Sequence, residues 1–317
     1  MRCPARVAFE QQGGGPAPSF AAAVLGTTAH RAMELVAIGT AVDAAWDIAC
    51  EETFNREGDE PSRLKTFRRT FLRYRRRANE LVAFLAEHPA HEPLPEQNLQ
   101  SEDGVLRGQA DLVLLAAEDV IVVDHKTGVV TDEDRPKAAY VRQVQIYAAL
   151  ASAGYGRPVG GAALFSLREG MVAIDVSDEA LGEAISEART ELTEFNQRAP
   201  GPQPARPAPD TCRWCPSAAK CDGFWQCVDE SWTDPMGLCV RGHITRAEVA
   251  LNSLGSVELA VTEASPPGPD SIVVSGIPGH FVSDLALSDV VSLTGLERHF
   301  RAPETLVWAS NSLIDVM

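Results

Sequence analysis

Two carboxylates and a lysine mark the segment of the sequence with the clearest chemical potential. Asp111 lies in one apolar run, and Asp124 and Lys126 end the next run as Asp-His-Lys. Residues two apart in a strand point to the same face, so Asp124 and Lys126 project together and His125 projects to the opposite side. If the two runs pair, Asp111 lies near Asp124. Such carboxylates suit a hard cation such as Mg²⁺ or Mn²⁺, and a neighbouring lysine can stabilise charge in a transition state.

Three closely spaced cysteines form a second candidate metal site. Cys212, Cys215 and Cys221 follow a proline-rich segment, in a chain with seven cysteines. The odd number and the length of the chain argue against a disulfide framework, so the spacing indicates a metal instead. With the nearby Cys227, the triplet could form a local four-cysteine zinc site.

Helical and strand patterns alternate over the first two thirds of the chain and would position these groups. The periodicity predicts helices over 20–50, 61–87, 136–153 and 178–198. The runs LRGQADLVLLA and DVIVVDHKTG predict two paired strands, and LFSLREGMVAIDV predicts a hairpin that turns at Glu169-Gly170. The acidic segment 51–60 is predicted as a turn, and 88–100, which contains three prolines, as a connector.

The sequence changes character near residue 228. Past Pro235, short β-rich runs separated by turn residues predict a small all-β domain of about five strands, either a barrel or a sandwich. Its rhythm resembles that of an OB fold. A length of 317 residues is consistent with two domains of ordinary size. The predicted domains are 1–227 and 236–317.

The charge distribution is uneven. The net charge of −16 argues against a protein that coats duplex DNA. Eight basic residues and no acid lie between Arg63 and Arg77, however, and this strip is either a phosphate track or a solvated helix face. The residues predicted to contact nucleic acid are Arg68, Arg69, Arg73 and Arg76. The sequence has neither an N-terminal apolar signal region nor an apolar run of about 18 residues, so we expect a cytoplasmic protein without a membrane partner.

Four motifs stand in a fixed order along residues 1–227. They are Gly26-Thr-Thr-Ala-His30, Gly108-Gln-Ala-Asp111, Asp124-His-Lys126-Thr-Gly128 and Gln143-Val-Gln-Ile-Tyr147. This order resembles the PD-(D/E)xK nuclease superfamily and, more narrowly, its RecB-like branch, which includes Cas4 and the AddB nuclease domain. The resemblance implies an α/β fold with a restriction-endonuclease-like core, in which helices flank a central mixed sheet. The smaller OB-like domain would follow it.

The resemblance also implies a role for each motif residue. The residues implied to bind the catalytic Mg²⁺ or Mn²⁺ are His30, Asp111, Asp124 and, through its backbone carbonyl, His125. Lys126 would be the catalytic lysine. Gln143 and Tyr147 lie one helical turn apart, so both would face the site and position DNA or hold Lys126. Glu96 corresponds to a family glutamate ahead of the first strand.

Some members of this branch hold a [4Fe–4S] cluster with a cysteine triplet and one distant N-terminal cysteine. The residues that correspond here are Cys3, Cys212, Cys215 and Cys221. Such a cluster would close a very long loop of the chain, which is otherwise entropically costly. Structural Zn²⁺ remains the alternative.

The implied activity is that of a metal-dependent deoxyribonuclease that hydrolyses phosphodiester bonds in single-stranded DNA or at DNA ends. DNA repair or recombination, CRISPR adaptation and anti-phage defence all use this chemistry. The alternative is a catalytically weak nuclease-fold scaffold that binds DNA or protein within a larger complex. The β domain has four basic residues against nine acidic ones, so we expect it to dock a partner protein at least as readily as DNA.

Overall fold

A computed structural model of the protein describes most of the chain. The described residues are 3–11, 21–57, 61–64, 66–199, 203–212, 215–232, 237–251, 253–299, 302–309 and 312–316. They form two compact units. The first comprises Ala21–Gln197, and the second comprises the N-terminal helix α1 (Pro4–Gln11) and the chain from Arg198 onward.

The first unit is built on a five-stranded mixed sheet in the order β1-β2-β3-β6-β7. Its strands, with the small hairpin β4–β5, are β1 (Glu92–Gln100), β2 (Arg107–Leu115), β3 (Val120–Lys126), β4 (Thr131–Asp132), β5 (Arg135–Pro136), β6 (Val159–Ser166) and β7 (Gly170–Ile174). Strands β3 and β6 pair in parallel, and the other neighbours in the sheet pair antiparallel. The strand pair and the hairpin predicted from the sequence therefore correspond to β2–β3 and β6–β7.

Helices cover both faces of this sheet. They are α2 (Ala21–Ala37), α3 (Val42–Glu57), α4 (Phe67–Glu87), α5 (Ala138–Tyr155) and α6 (Asp178–Arg198). On one face, apolar residues of α2, α3 and α4, which include Trp46 and Tyr74, pack against Leu112 of the sheet. On the other face, Val144 and Leu181 of α5 and α6 enclose a second apolar cluster. A mixed sheet between two helical layers is consistent with a restriction-endonuclease-like core.

Two predictions for this unit are wrong. Residues 20–50 form two helices, because the chain turns at Gly39, whose φ of 94° suits glycine. The second of these helices then continues to residue 57, through most of the predicted turn. Residues 92–100 of the predicted connector form β1, with Pro93 and Pro95 included. Strand β1 is an edge strand. Prolines are tolerated there because an N–H group on the outer side of an edge strand has no neighbouring strand to bond.

From Arg198 onward, the second unit contains the cysteine-bearing helices α7 (Pro209–Cys212) and α8 (Asp222–Cys227). Phe224 and Trp225 of α8 form an apolar cluster with Trp232, which also includes Cys239. This cluster packs the cysteine region with the start of the β domain.

The β domain is a closed barrel of five strands. Its elements are β8 (Leu238–Val249), β9 (Leu254–Ser265), β10 (Ser271–Pro278), the short helix α9 (Gly279–Val282), β11 (Val290–His299), β12 (Ala302–Val307) and β13 (Leu313–Val316). The barrel closes because β12 pairs in parallel with β10 and antiparallel with β11. Strand β13 pairs antiparallel with the first half of β11. This Greek-key barrel is OB-like, as predicted.

Within the ranges described above, none of the helices combines the length and the apolar character that a bilayer crossing requires.

Candidate active site

The C-terminal end of β3 presents a buried carboxylate beside a lysine. Asp124 and Lys126 lie on the same side of the strand and form an ion pair. Only 1% of Asp124 is exposed. Burial raises the pKa of Asp124 to about 6, with a further increase from Asp111, although Lys126 opposes the shift. This carboxylate is therefore mostly ionised at neutral pH and loses its charge as the pH falls through about 6.

Asp111 on β2 is fixed beside the end of β3 by two neighbours. Its Oδ2 accepts a hydrogen bond of 2.6 Å from the backbone N–H of His125, and its Oδ1 lies 3.8 Å from Nδ1 of His30 on α2. Burial alone would raise the pKa of Asp111, but the histidine contact outweighs it and lowers the pKa. For His30, burial favours the neutral ring, yet Asp111 raises its pKa. The structure thus brings Asp111, Asp124, His30 and Lys126 to one end of the sheet.

His125 points to the opposite side of β3. Its ring lies 6.0 Å from the ring of His30 and 5.8 Å from that of Phe165. Burial lowers the pKa of His125 to about 4, so the ring is neutral at physiological pH. The residue contributes to the site through its backbone, whose N–H holds Asp111.

The predicted Gln143–Tyr147 pair is formed on α5. Gln143 Nε2 donates a hydrogen bond of 2.9 Å to Tyr147 Oη. The Tyr147 ring lies directly over Gly108 on β2, where a Cβ atom would collide with it. Lys126 Nζ lies 5.4 Å from the ring centroid of Tyr140 on the same helix. Helix α5 therefore supplies the wall on the lysine side of the site.

The chain leaves the site through a fixed loop. Ser166 Oγ on β6 donates a hydrogen bond of 2.7 Å to the carbonyl oxygen of Gly128. The backbone N–H of Leu167 donates to the carbonyl oxygen of Lys126 at 2.8 Å. These bonds hold the backbone on both sides of Thr127. Ser166 was not predicted, because a single serine in an apolar strand carries no sequence signal.

Two glutamates, Glu34 and Glu96, line a cleft of about 570 Å³ together with His30 and Asp111. Glu96 lies within β1, opposite Asp111, because Pro95 pairs with Leu112 and Gln97 with Ala110. Burial and then the nearby Glu34 raise the pKa of Glu96 to about 7. Glu34 follows His30 by four residues on α2, and this helical spacing is the signal that would have placed it beside the site.

The family comparison covers most of the chain. Residues 1–222 match the family model described as the PD-(D/E)XK nuclease superfamily. The chain belongs to this superfamily. No curated protein matches it.

Two solved structures are similar to this superfamily member at low identity. One is a protein of Eubacterium rectale predicted to be an exonuclease, with 15% identity and a TM-score of 0.41, covering 62% of this chain and 74% of the other. The other is the protein SSO0001, with 14% identity and a TM-score of 0.30, covering 70% of this chain and 95% of the other.

The donor chemistry of the site fits the divalent cation that PD-(D/E)XK nucleases use. Asp111, Asp124 and the carbonyl of His125 offer oxygen atoms, and His30 offers a ring nitrogen, a set suited to Mg²⁺ or Mn²⁺. Burial raises the pKa of Asp124, and a bound cation would stabilise the ionised form of this carboxylate. Across the described ranges, however, no three His, Cys, Asp or Glu side chains are arranged closely enough to hold a metal ion.

The arginines predicted to contact nucleic acid lie on α4, on two different faces. The basic stripe, as we define it, consists of Arg69, Arg73 and Arg76. These residues share a face because their spacings are four and three residues. Arg68 lies about a quarter of a turn away. Lys65 of the predicted basic strip lies outside the described residues.

Arg77 has a structural role. Its guanidinium is buried and donates hydrogen bonds to the carbonyl oxygen of Arg168 at 2.9 Å and to Glu80 Oε2 at 2.5 Å. A weaker bond of 3.4 Å reaches the carbonyl oxygen of Leu167. Arg77 thereby ties α4 to the turn between β6 and β7.

In the second unit, the predicted cluster cysteines come within electrostatic range of one another. Burial raises the pKa of the Cys212 thiol to about 11, and Cys215, Cys221 and Cys3 raise it further. Cys3 Sγ accepts a hydrogen bond of 3.2 Å from the backbone N–H of Arg206. The alternative zinc ligand Cys227 is instead exposed at the end of α8.

Proposed function

We propose that this PD-(D/E)XK protein is a metal-dependent deoxyribonuclease of the RecB/Cas4-like kind. It would hydrolyse phosphodiester bonds in single-stranded DNA or at DNA ends, within DNA repair or recombination, CRISPR adaptation or anti-phage defence. The observation that carries the proposal is the convergence of Asp111, Asp124, Lys126 and His30 at one end of the sheet. The order of the motifs along the sequence supports it.

Each residue of the candidate active site has its own role in the proposed hydrolysis. His30, Asp111, Asp124 and the carbonyl of His125 would hold Mg²⁺ or Mn²⁺. When bound, the cation supplies a Lewis acid that neutralises charge on the phosphoryl oxygen and lowers the pKa of a water molecule. Lys126 orients the attacking water or stabilises the negative charge that develops on phosphate.

The surrounding residues keep this arrangement rigid. The N–H of His125 fixes Asp111, and the Gln143–Tyr147 pair closes the side next to Gly108. Ser166 and Leu167 fix the backbone around Lys126. Small displacements of a catalytic group cost large factors in rate, so this support matters for activity.

Cleavage of labelled single-stranded DNA in Mg²⁺ or Mn²⁺ tests the proposal. We expect Lys126→Met to lose activity by at least about a hundredfold while it still binds the strand. Lys137→Met, which removes a similar charge at the start of α5, should cut like the wild type. Equal cutting by wild type and Lys126→Met would reject the catalytic assignment. Binding without metal-dependent cutting by the wild type would favour the scaffold alternative.

We further propose that Cys3, Cys212, Cys215 and Cys221 hold a [4Fe–4S] cluster. The proximity of Cys212 to the other three thiols supports this set. Burial raises the pKa of the Cys212 and Cys215 thiols, so a bound metal would be needed to stabilise their thiolates near neutral pH.

Iron and acid-labile sulfide, measured after anaerobic purification, test the cluster. We expect Cys3→Ser to lose iron and Cys227→Ser to keep it. The zinc alternative would be established if the wild type contained zinc without iron. Cys227→Ser should then lose the zinc, and Cys3→Ser should retain it.

A further inference from the structure

An arginine outside the recognised motifs lies at the same end of the sheet as the candidate active site. Strand β6 runs parallel to β3, with Ser166 opposite Lys126. Leu167 continues this contact through its 2.8 Å bond to the carbonyl oxygen of Lys126. Arg168 is the next residue, and its side chain is exposed. The chain register therefore fixes Arg168 within two residues of the level of Lys126.

The turn that carries Arg168 is attached to helix α4. Arg77 binds the carbonyl oxygen of Arg168 at 2.9 Å, and its guanidinium occupies the space beside Gly170, where a Cβ atom would lie 2.6 Å from Arg77 Nη1. Gly170 also has a φ of 89°, which a residue with a side chain rarely adopts. Helix and turn are thus held together by buried contacts that leave the Arg168 guanidinium at the surface.

This attachment brings Arg168 beside the basic stripe. Burial lowers the pKa of Arg73, and the positive charges of Arg168, Arg69 and Arg76 lower it further, so these three guanidinium groups lie close enough to Arg73 to repel it. Within the part of the chain that the structure describes, no carboxylate lies within ion-pair distance of Arg69, Arg73 or Arg168. Arg76 has a distant partner, Glu80, at 3.9 Å. Such concentrated charge is relieved by an anion.

The shape of the charged surface indicates what kind of anion it fits. Arg76 follows Arg69 by seven positions along the helix, so the stripe extends over about 10 Å. A single phosphate group is smaller than this, whereas a nucleic-acid strand presents phosphates in a row. Arginine forks bind phosphate oxygens in pairs, which favours a fixed strand path.

We propose that Arg168 and the basic stripe form one phosphate-binding surface that guides the DNA backbone to the end of β3. Arg168 is a binding residue in this scheme, because it contacts the phosphates of the strand away from the reacting atoms. The inference rests on the proposed nuclease function and adds to it the path of the substrate.

Binding of a fluorescently labelled single-stranded oligonucleotide in EDTA, followed by anisotropy over a series of salt concentrations, tests the inference. The variants are Arg168→Gln and Arg168→Glu, with Arg157→Gln as the control. Arg157 is exposed and lies at the opposite end of β6, so its substitution removes the same charge away from the surface. We expect Arg168→Gln to weaken binding about fivefold and Arg168→Glu to weaken it more. A plot of the logarithm of the association constant against the logarithm of the salt concentration has a negative slope, and its magnitude should decrease by about 0.7 for each lost phosphate contact.

The outcomes separate this inference from the proposed function. The inference is overturned if both Arg168→Gln and Arg157→Gln bind with the affinity and salt slope of the wild type. This holds even if the wild type cuts DNA. Equal weakening in both variants would also overturn it, because the effect would then reflect net charge. Weakening confined to the Arg168 variants supports the surface, and it does so even if the wild type fails to cut in Mg²⁺ or Mn²⁺.

Discussion

The ring of Tyr147 lies against the backbone of Gly108, in the space that a side chain at Gly108 would fill. Two sequence motifs that are distant along the chain therefore meet in one contact, between α5 and β2. Asp111 lies three residues after this glycine, and Gln143 holds the tyrosine hydroxyl. The glycine thus lets helix α5 approach the strand that carries a candidate metal ligand.

Gly108→Ala should destabilise the protein and lower its nuclease activity. The added methyl group would displace the Tyr147 ring, and overpacking of this kind costs about 1–3 kcal/mol. Thermal unfolding measures the loss. In Gly161→Ala on β6, the added carbon meets Ile121 at an ordinary distance of 3.8 Å, so this control should be nearly neutral. If Gly108→Ala melts and cuts like the wild type, the contact does not constrain the site.

The side-chain groupings of the candidate active site were predictable because each is a local pattern. Asp124 and Lys126 share a strand face, and Gln143 and Tyr147 share a helix face, so spacing alone indicates which side chains lie together. The glycine of the second motif was recognised only as part of that pattern. Its physical reason, the Tyr147 ring, depends on how α5 packs on β2, which no local pattern contains.

The errors of prediction have the same origin. Pro93 and Pro95 indicated a connector, but an edge strand tolerates prolines, and the edge is defined only once the sheet has formed. The eight basic residues from Arg63 to Arg77 suggested one continuous strip. The structure instead buries Arg77 as an anchor and brings Arg168 to the stripe from a distant turn, so neither role was visible in the sequence.

Arg77→Ala should destabilise the protein far more than Arg76→Ala. Loss of the Arg77 guanidinium leaves the carbonyl of Arg168 without its donor, and we expect a loss of about 2 kcal/mol in the free energy of unfolding. Arg76 is exposed and has one distant partner, so its removal should cost less than about 0.5 kcal/mol. Urea unfolding of the two variants provides the comparison. Equal stabilities would show that Arg77 does not anchor the turn.

Metal binding should weaken as the pH falls below about 6. The pKa of Asp124 is raised to about 6 by burial, so at lower pH the cation must displace a proton from this carboxylate. The apparent affinity for Mn²⁺ should then fall by roughly tenfold per pH unit, and more where His30 must also lose a proton. Calorimetric titration with Mn²⁺ measures this dependence. An affinity that is constant between about pH 5 and pH 7.5 would contradict the assignment of Asp124 as a ligand.

Without divalent metal, Glu96 should contribute stability that the protein loses as the pH rises from about 4.5 to about 7. Burial and the neighbouring Glu34 raise the pKa of Glu96 to about 7. The folded protein therefore retains a proton that the unfolded chain has already released, and the resulting stability disappears as the pH passes through 7. Because Glu96 is only partly buried, we expect this contribution to be on the order of 1–2 kcal/mol.

Glu96→Gln should remove this part of the pH dependence, since the amide does not titrate. Chemical unfolding in EDTA at several pH values measures it. Glu92→Gln is the matched control, because Glu92 is an exposed glutamate on the same strand, and its profile should follow the wild type. A Glu96→Gln profile as steep as that of Glu92→Gln would show that Glu96 does not hold the proton. Saturating Mn²⁺ should flatten the wild-type profile as well if the cation stabilises the ionised carboxylates of this cleft.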